Sequence, residues 1–198
     1  MSFEKSENEA ERKLERAEFI LRRLGLGWGD LEGKKILDIG ADSAELAQAA
    51  KDKGISVVSM DINSEDAGKA SKETMYVQGS ALRLPFNDES FEMVIAHAAP
   101  PALLVKSKED LATIIDEIKR VLKEGGELRF GPSGSLGEAI PEEFFPEEGS
   151  EFSTEESIRI IHEKSLEMLQ GIDPGVSEVQ SGETGFYILT KHTASSVK

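Results

Sequence analysis

Residues 35–44 read Lys35-Ile36-Leu37-Asp38-Ile39-Gly40-Ala41-Asp42-Ser43-Ala44, a short apolar run that ends in a glycine turn. The run is too short for a helix and is rich in branched side chains, so it predicts a buried strand over Lys35–Ile39. Gly40 gives the chain the backbone freedom for a sharp exit. A helical pattern follows over Glu45–Lys53, and a second apolar run, Ser56–Met60, ends at Asp61. A strand, a glycine turn, a helix and an acidic residue about twenty positions later is the spacing of a nucleotide-cofactor site. There a carboxylate can accept both hydroxyls of a ribose.

The same alternation continues outward from this unit. A short helix near Glu65–Ser71, a strand over Met75–Gln78 and a strand over Phe91–Ala96 lead to a Pro100-Pro101 break. The helix predicted over Lys108–Leu122 carries Leu111, Ile114, Ile115, Ile118, Val121 and Leu122 on its buried side. Gly125-Gly126 ends it, and Glu127–Phe130 reads as a fifth strand. Strands that alternate with helices imply a parallel sheet with crossover connections. Upstream, Ala10, Leu14, Ala17, Ile20, Leu21 and Leu24 recur at three- and four-residue spacing and predict an amphipathic capping helix that ends near Gly25. Downstream, Pro132, Pro141, Pro146 and several glycines break the pattern over Gly131–Ser153, which reads as a lid loop. A helix over Thr154–Leu169 is expected next, opened by a Ser153/Glu156 capping box. Val176–Gln180 and Phe186–Thr190 then read as an antiparallel hairpin, before a frayed tail from Thr193.

Composition narrows the function classes. The net charge of −15 repels phosphate backbones and anionic lipid, so neither nucleic acid nor a membrane is an expected partner. With no cysteine, thiolate nucleophiles and cysteine-ligated metals are excluded, and no histidine shows metal-ligand spacing; no metal site is expected. The N-terminus, MSFEKSENEAERK, lacks a cationic segment followed by an apolar one, and the longest apolar stretch, Met93–Val105, is too short to span a bilayer. A cytoplasmic, soluble protein of one domain is the expectation.

Later segments add wording to the pattern: Gly79-Ser80-Ala81, Leu84-Pro85-Phe86, Ser90-Phe91-Glu92-Met93-Val94, and Glu117-Ile118-Lys119-Arg120-Val121-Leu122-Lys123-Glu124-Gly125-Gly126. From about Lys34 to Phe130 the chain resembles the class I S-adenosylmethionine-dependent methyltransferases. The resemblance implies an α/β doubly wound three-layer sandwich whose seven-stranded, mostly parallel sheet ends in a C-terminal antiparallel hairpin. It implies S-adenosylmethionine as cofactor and a small-molecule acceptor. It further implies that Asp38, Gly40 and Asp42 belong to the cofactor loop, Asp61 to the ribose contact, and Ser80, Ala81 and Leu82 to the adenine pocket. His97 would face the transferred methyl, as a base that removes a proton from the acceptor or as a histidine hydrogen-bonded under the Pro-Pro turn.

Two positions depart from the family pattern. Where the family shows Gly-x-Gly-x-Gly, this chain keeps only Gly40, and side chains at Asp42 and Ala44 are expected to crowd the cofactor's methionine end. Asp-Ser-Ala-Glu over Asp42–Glu45 also has capping-box spacing, so Asp42 is expected to cap the following helix. Ser80 stands where many relatives carry an aspartate. These departures leave open a methyltransferase-like domain without transfer activity that serves as a binding or interaction module, with a protein or a second copy as partner. A nicotinamide-dependent oxidoreductase shares the fold but fits less well, because a full Gly-x-Gly-x-x-Gly is absent. Between Gly131 and Ile158 there are eight glutamates and no Lys or Arg, interleaved with Phe144, Phe145 and Phe152. An acidic lid of this kind favours an acceptor that is neutral or cationic.

Overall fold

In a computed structural model of the chain, residues 3–63, 74–102, 105–131, 163, 165–181 and 184–192 are described. A seven-stranded sheet of order β3-β2-β1-β4-β5-β7-β6 forms the middle layer. Its strands are β1 (Lys35–Ile39), β2 (Ser56–Asp61), β3 (Met75–Gln78), β4 (Phe91–His97), β5 (Leu122–Gly131), β6 (Val176–Ser181) and β7 (Thr184–Thr190). The β1–β2, β1–β4, β2–β3 and β4–β5 pairs are parallel, and β7 runs antiparallel to both β5 and β6. The doubly wound architecture and the closing hairpin are therefore as expected. Strand order reverses between β1 and β4, which opens a crevice at their carboxyl ends.

Helices cover both faces because each strand buries both of its sides. On one face, α1 (Phe3–Arg23) and α2 (Glu45–Lys51) pack Ala17, Leu21, Leu24 and Leu46 onto Ile36, Met93 and Ile95. On the other, α3 (Lys108–Val121) buries Leu111, Ile114, Ile115 and Ile118 against Leu37, Val94 and Phe130, with residues 165–172 forming a further helical stretch beside it. Helix α1 ends in a Schellman arrangement: Leu26 N donates to Leu21 O at 2.8 Å and Gly25 N to Arg22 O at 3.2 Å. Gly25 has φ +63°, and a Cβ there would stand 2.4 Å from the Phe186 ring. Only glycine fits.

Three expectations need correction. The apolar stripe of α1 is buried only from Ala17 onward; Ala10 and Leu14 are exposed, because the helix begins before the sheet it rests on. Strand β5 starts at Leu122, not at Glu127, and α3 ends a residue earlier than expected. Leu122 pairs with Phe91, and the chain then swings out through Gly125 before Glu127 pairs with Met93. Lys191 ties that excursion down, accepting from Gly125 N and donating to Gly126 O, both at 2.9 Å. The expected helix at 65–71, the lid loop, the Ser153 capping box and the tail lie outside the described residues.

One side chain near the end of α3 fixes the segment that connects β3 to β4. All five N–H groups of Arg120 are used. They go to the Phe86 carbonyl (2.8 Å), the Leu84 carbonyl (2.9 Å), Asp88 (2.8 Å) and both oxygens of Glu117 (2.9 Å). Glu117 in turn accepts from Leu84 N at 2.7 Å. Arg120→Met keeps the stem and strands these acceptors. A loss of about 2 kcal/mol in urea denaturation is expected, and a loss below about 0.5 kcal/mol would mean that water replaces the network.

Candidate functional site

The crevice at the β1/β4 reversal holds a cavity of about 560 Å³, within the usual range for small-molecule sites. Part of its lining is a close approach of two strand exits. Gly40, at φ +73°, turns so close to the exit of β4 that a Cβ on it would lie 2.2 Å from the Ala99 Cβ. Gly40 N and Ala41 N both donate to Met60 O, at 2.8 and 3.1 Å, which joins this turn to the end of β2.

The loop after Gly40 keeps a glycine-like path without the glycines. Asp42 (φ 46°) and Ala44 (φ 61°) both adopt left-handed backbone, which costs a non-glycine residue roughly 1–2 kcal/mol. Ala44 offsets that strain by placing its methyl, fully buried, in the core beneath α1 and α2. The expected crowding thus fails at Ala44, which turns away from the cavity, and is confined to exposed Asp42 on its rim. The expected capping box is also absent. Ala44 is the N-cap of α2 and makes no side-chain cap bond, Ser43 Oγ donates to Glu45 Oε1 at 2.7 Å, and Asp42 N donates to Asp61 Oδ2 at 3.2 Å. Glu45 is held by its neighbour and cannot reach back.

Asp61 ends β2 on the cavity wall. Its second oxygen accepts from Asn63 N at 3.0 Å, so the carboxylate is fixed while half its lone pairs stay available. Ser80 Oγ accepts from Leu82 N at 3.3 Å within a tight turn closed by Arg83 N on Ser80 O at 3.0 Å. Ser80, Ala81 and Leu82 line the same cavity as Gly40, Asp42 and Asp61. Sequence reasoning missed Ile62, 72% exposed, which with Leu82 gives the cavity two apolar rims. Its signal was its place directly after Asp61. Lys106, Asp110 and Ile114 at the start of α3 also went unread.

Asp38 lies behind this wall, 5% exposed. Burial first, then the charges of Glu45 and Asp61, push its carboxyl up to about 7. His97 is not among the residues that line the cavity. Side chains alternate along β4, so His97 shares the α1 face with Met93 and Ile95. Its ring meets Phe19 edge-on at 5.7 Å. Burial, then Arg16 and Arg23, lower its pKa to about 4.

Fold and crevice together define a domain of the class I methyltransferase type. Residues 37–130 match the family model described as a methyltransferase domain, and over these residues the chain is similar to S-adenosylmethionine-dependent methyltransferases of class I. A demethylmenaquinone methyltransferase of Chlorobaculum tepidum is 37% identical over 103 residues, which cover 48% of this chain and 40% of that one. The chain spans less than half the length of the curated relatives it matches. Among solved structures, an S-adenosylmethionine-dependent methyltransferase of Methanosarcina mazei is 24% identical and superposes with a TM-score of 0.54, covering 81% of this chain and 93% of that one. The cyclase SpnF, 22% identical, also superposes with a TM-score of 0.54, covering 84% of this chain and 59% of that one. The fold therefore serves more than one chemistry.

The cavity fits S-adenosylmethionine, the family's cofactor. Asp61 would present free lone pairs to a ribose, Ile62 and Leu82 would present apolar faces to a base, and Asp42 on the rim would face a cation. Among the described residues no His, Asp or Glu cluster could hold a metal, and no helix is long and apolar enough to cross a membrane.

Two measurements test the site. A carboxyl whose pKa is raised on folding is penalised above that value, so Asp38 lowers stability as pH rises from about 4 to about 7. Asp38→Asn is expected to remove that fall, its advantage over wild type growing by roughly 3 kcal/mol across the window in urea denaturation. A difference independent of pH would sink the assignment. At Ala44 the strain relieved by glycine and the methyl burial lost nearly cancel, so Ala44→Gly is expected within about 1 kcal/mol of wild type. Ala44→Val, β-branched at positive φ in a filled core, is expected to cost more than about 2 kcal/mol. Equal effects from the two would contradict the left-handed loop.

Proposed function

We propose that the domain binds S-adenosylmethionine in the β1/β4 crevice and transfers its methyl group to a small-molecule acceptor. The observation that carries this reading is the fixed Asp61 carboxylate facing a cavity whose lining needs glycine at position 40. When bound, the cofactor supplies an electrophilic methyl on a sulfonium, so the protein needs alignment more than strong acid–base chemistry. Asp61 takes the ribose hydroxyls. Ser80 and Leu82 hold the base, with Ser80 giving a neutral hydrogen bond and hence a weaker one than a carboxylate would. Asp42 faces the amino or sulfonium charge from the rim.

His97, with its pKa near 4, is neutral at pH 7 and a weak base there. Its ring lies outside the cavity, against Phe19, so this reading gives it no part as a base. The acidic run over 131–158 supports an acceptor that is neutral or cationic overall. The reading without transfer activity is not favoured, because the loop that departs from the glycine pattern keeps an open cavity beside it.

Calorimetric titration with S-adenosylmethionine and S-adenosylhomocysteine is expected to give micromolar binding, about tenfold or more weaker in Asp61→Ala. No binding at millimolar ligand, or equal binding by Asp61→Ala, would overturn the proposal.

A further inference from the structure

A second group of side chains stands just past the end of β4, on the face that the cavity does not use. The guanidinium carbons of Arg16 and Arg23 lie 5.3 and 5.7 Å from the centroid of the Phe19 ring, and that ring packs on His97. Spacings of three and four residues put Arg16, Phe19 and Arg23 on one face of α1. The two like charges act on one imidazole and disfavour its protonation.

Their surroundings differ from those of the cations held in ion pairs. Lys13, Lys119, Arg120, Lys123, Arg129 and Lys191 each pair with a carboxylate. Among the described residues Arg16 and Arg23 do not; they stack on Phe19 and act on His97. Two guanidinium groups over one aromatic ring, beside a neutral imidazole, suit a planar anion with an apolar body. The place is also suitable: Ala98 and Ala99, directly after His97, line the cofactor cavity.

We propose that Arg16 and Arg23, with Phe19 and His97, form a recognition site for an anionic group, carboxylate or phosphate, on a small molecule. The forks hold the anion, Phe19 packs against the body, and His97 adds a hydrogen bond. That this molecule is the methyl acceptor rests on the methyl-transfer reading; the anion site itself does not. An acceptor that is neutral overall then carries its negative charge at this end and a compensating positive group elsewhere, as a zwitterion does.

The test titrates the full chain with benzoate, phenyl phosphate, benzyl alcohol and benzylamine, followed by calorimetry and by the NMR signals of the His97 ring. Wild type is compared with R16Q/R23Q, with R16K/R23K, and with R12Q, which removes one exposed charge from the same helix. At least one of the two anions is expected to bind roughly tenfold or more tightly than benzylamine and to shift the His97 signals. That binding should fall by about tenfold in R16Q/R23Q, fall less in R16K/R23K, which keeps charge but loses the fork, and hold within about twofold in R12Q. Which anion binds better separates carboxylate from phosphate. Amide spectra that superpose on wild type establish that the variants fold.

Equal binding of benzylamine and the anions, or anion binding untouched in R16Q/R23Q, would overturn the proposal. S-adenosylhomocysteine titrated into the same proteins separates the two readings. Anion binding with the expected pattern but no S-adenosylhomocysteine binding would leave this site standing and remove the methyl-transfer reading.

Discussion

The close approach of the Gly40 turn to Ala99 governs what the rest of the crevice can be. Two strand exits, from β1 and β4, meet with no room for a side chain, and the β2 exit joins them through two hydrogen bonds onto Met60 O. This part of the cavity is thereby fixed by packing and by the register of three adjacent parallel strands. The buried residues Ile39, Met60, Val105 and Ile114 complete the lining. Where strand exits meet in this way, the shape of the site does not depend on any one rotamer.

Guanidinium groups divide the remaining work. Arg120 holds the Leu84–Phe86 wall against α3. Arg129 on β5 donates to the Leu24 and Gly25 carbonyls at 3.2 and 2.9 Å and so fastens the end of α1 to the sheet. Each donates to two backbone carbonyls as well as to carboxylates, which fixes one segment relative to another. Arg16 and Arg23 differ. They touch an aromatic ring and face a neutral imidazole, and among the described residues no carboxylate pairs with them.

The order of strands was legible because apolar runs bounded by turn residues are set by burial, and burial is a local property of the sequence. Lys35–Ile39 and Met75–Gln78 are read to the residue. The start of β5 was not legible. Leu122 belongs equally well to a helix face and to a strand, and only its pairing with Phe91 decides between them. At the site, the residues that fall together on one cavity were those whose role depends on position along the chain: Gly40 at a strand exit, Asp61 at the next, and Ser80 to Leu82 after the third. What escaped were orientations. That Ala44 turns into the core, that Glu45 is engaged by Ser43, and that His97 faces α1 are consequences of dihedral angles and sheet faces, which residue types alone do not specify. The alternation along β4 did contain the answer for His97, since it shares the parity of Met93 and Ile95.

The left-handed turns at Asp42 and Ala44 bear on how such loops persist through sequence change. Glycine is the easy occupant of those dihedrals, but here an aspartate whose amide is tied to Asp61 and an alanine anchored in the core occupy them instead. What this loop keeps is the path of the chain, upheld by its neighbours, without the residue for which that path costs least. A signature written in glycines would pass over this loop; one written in torsion angles would find it.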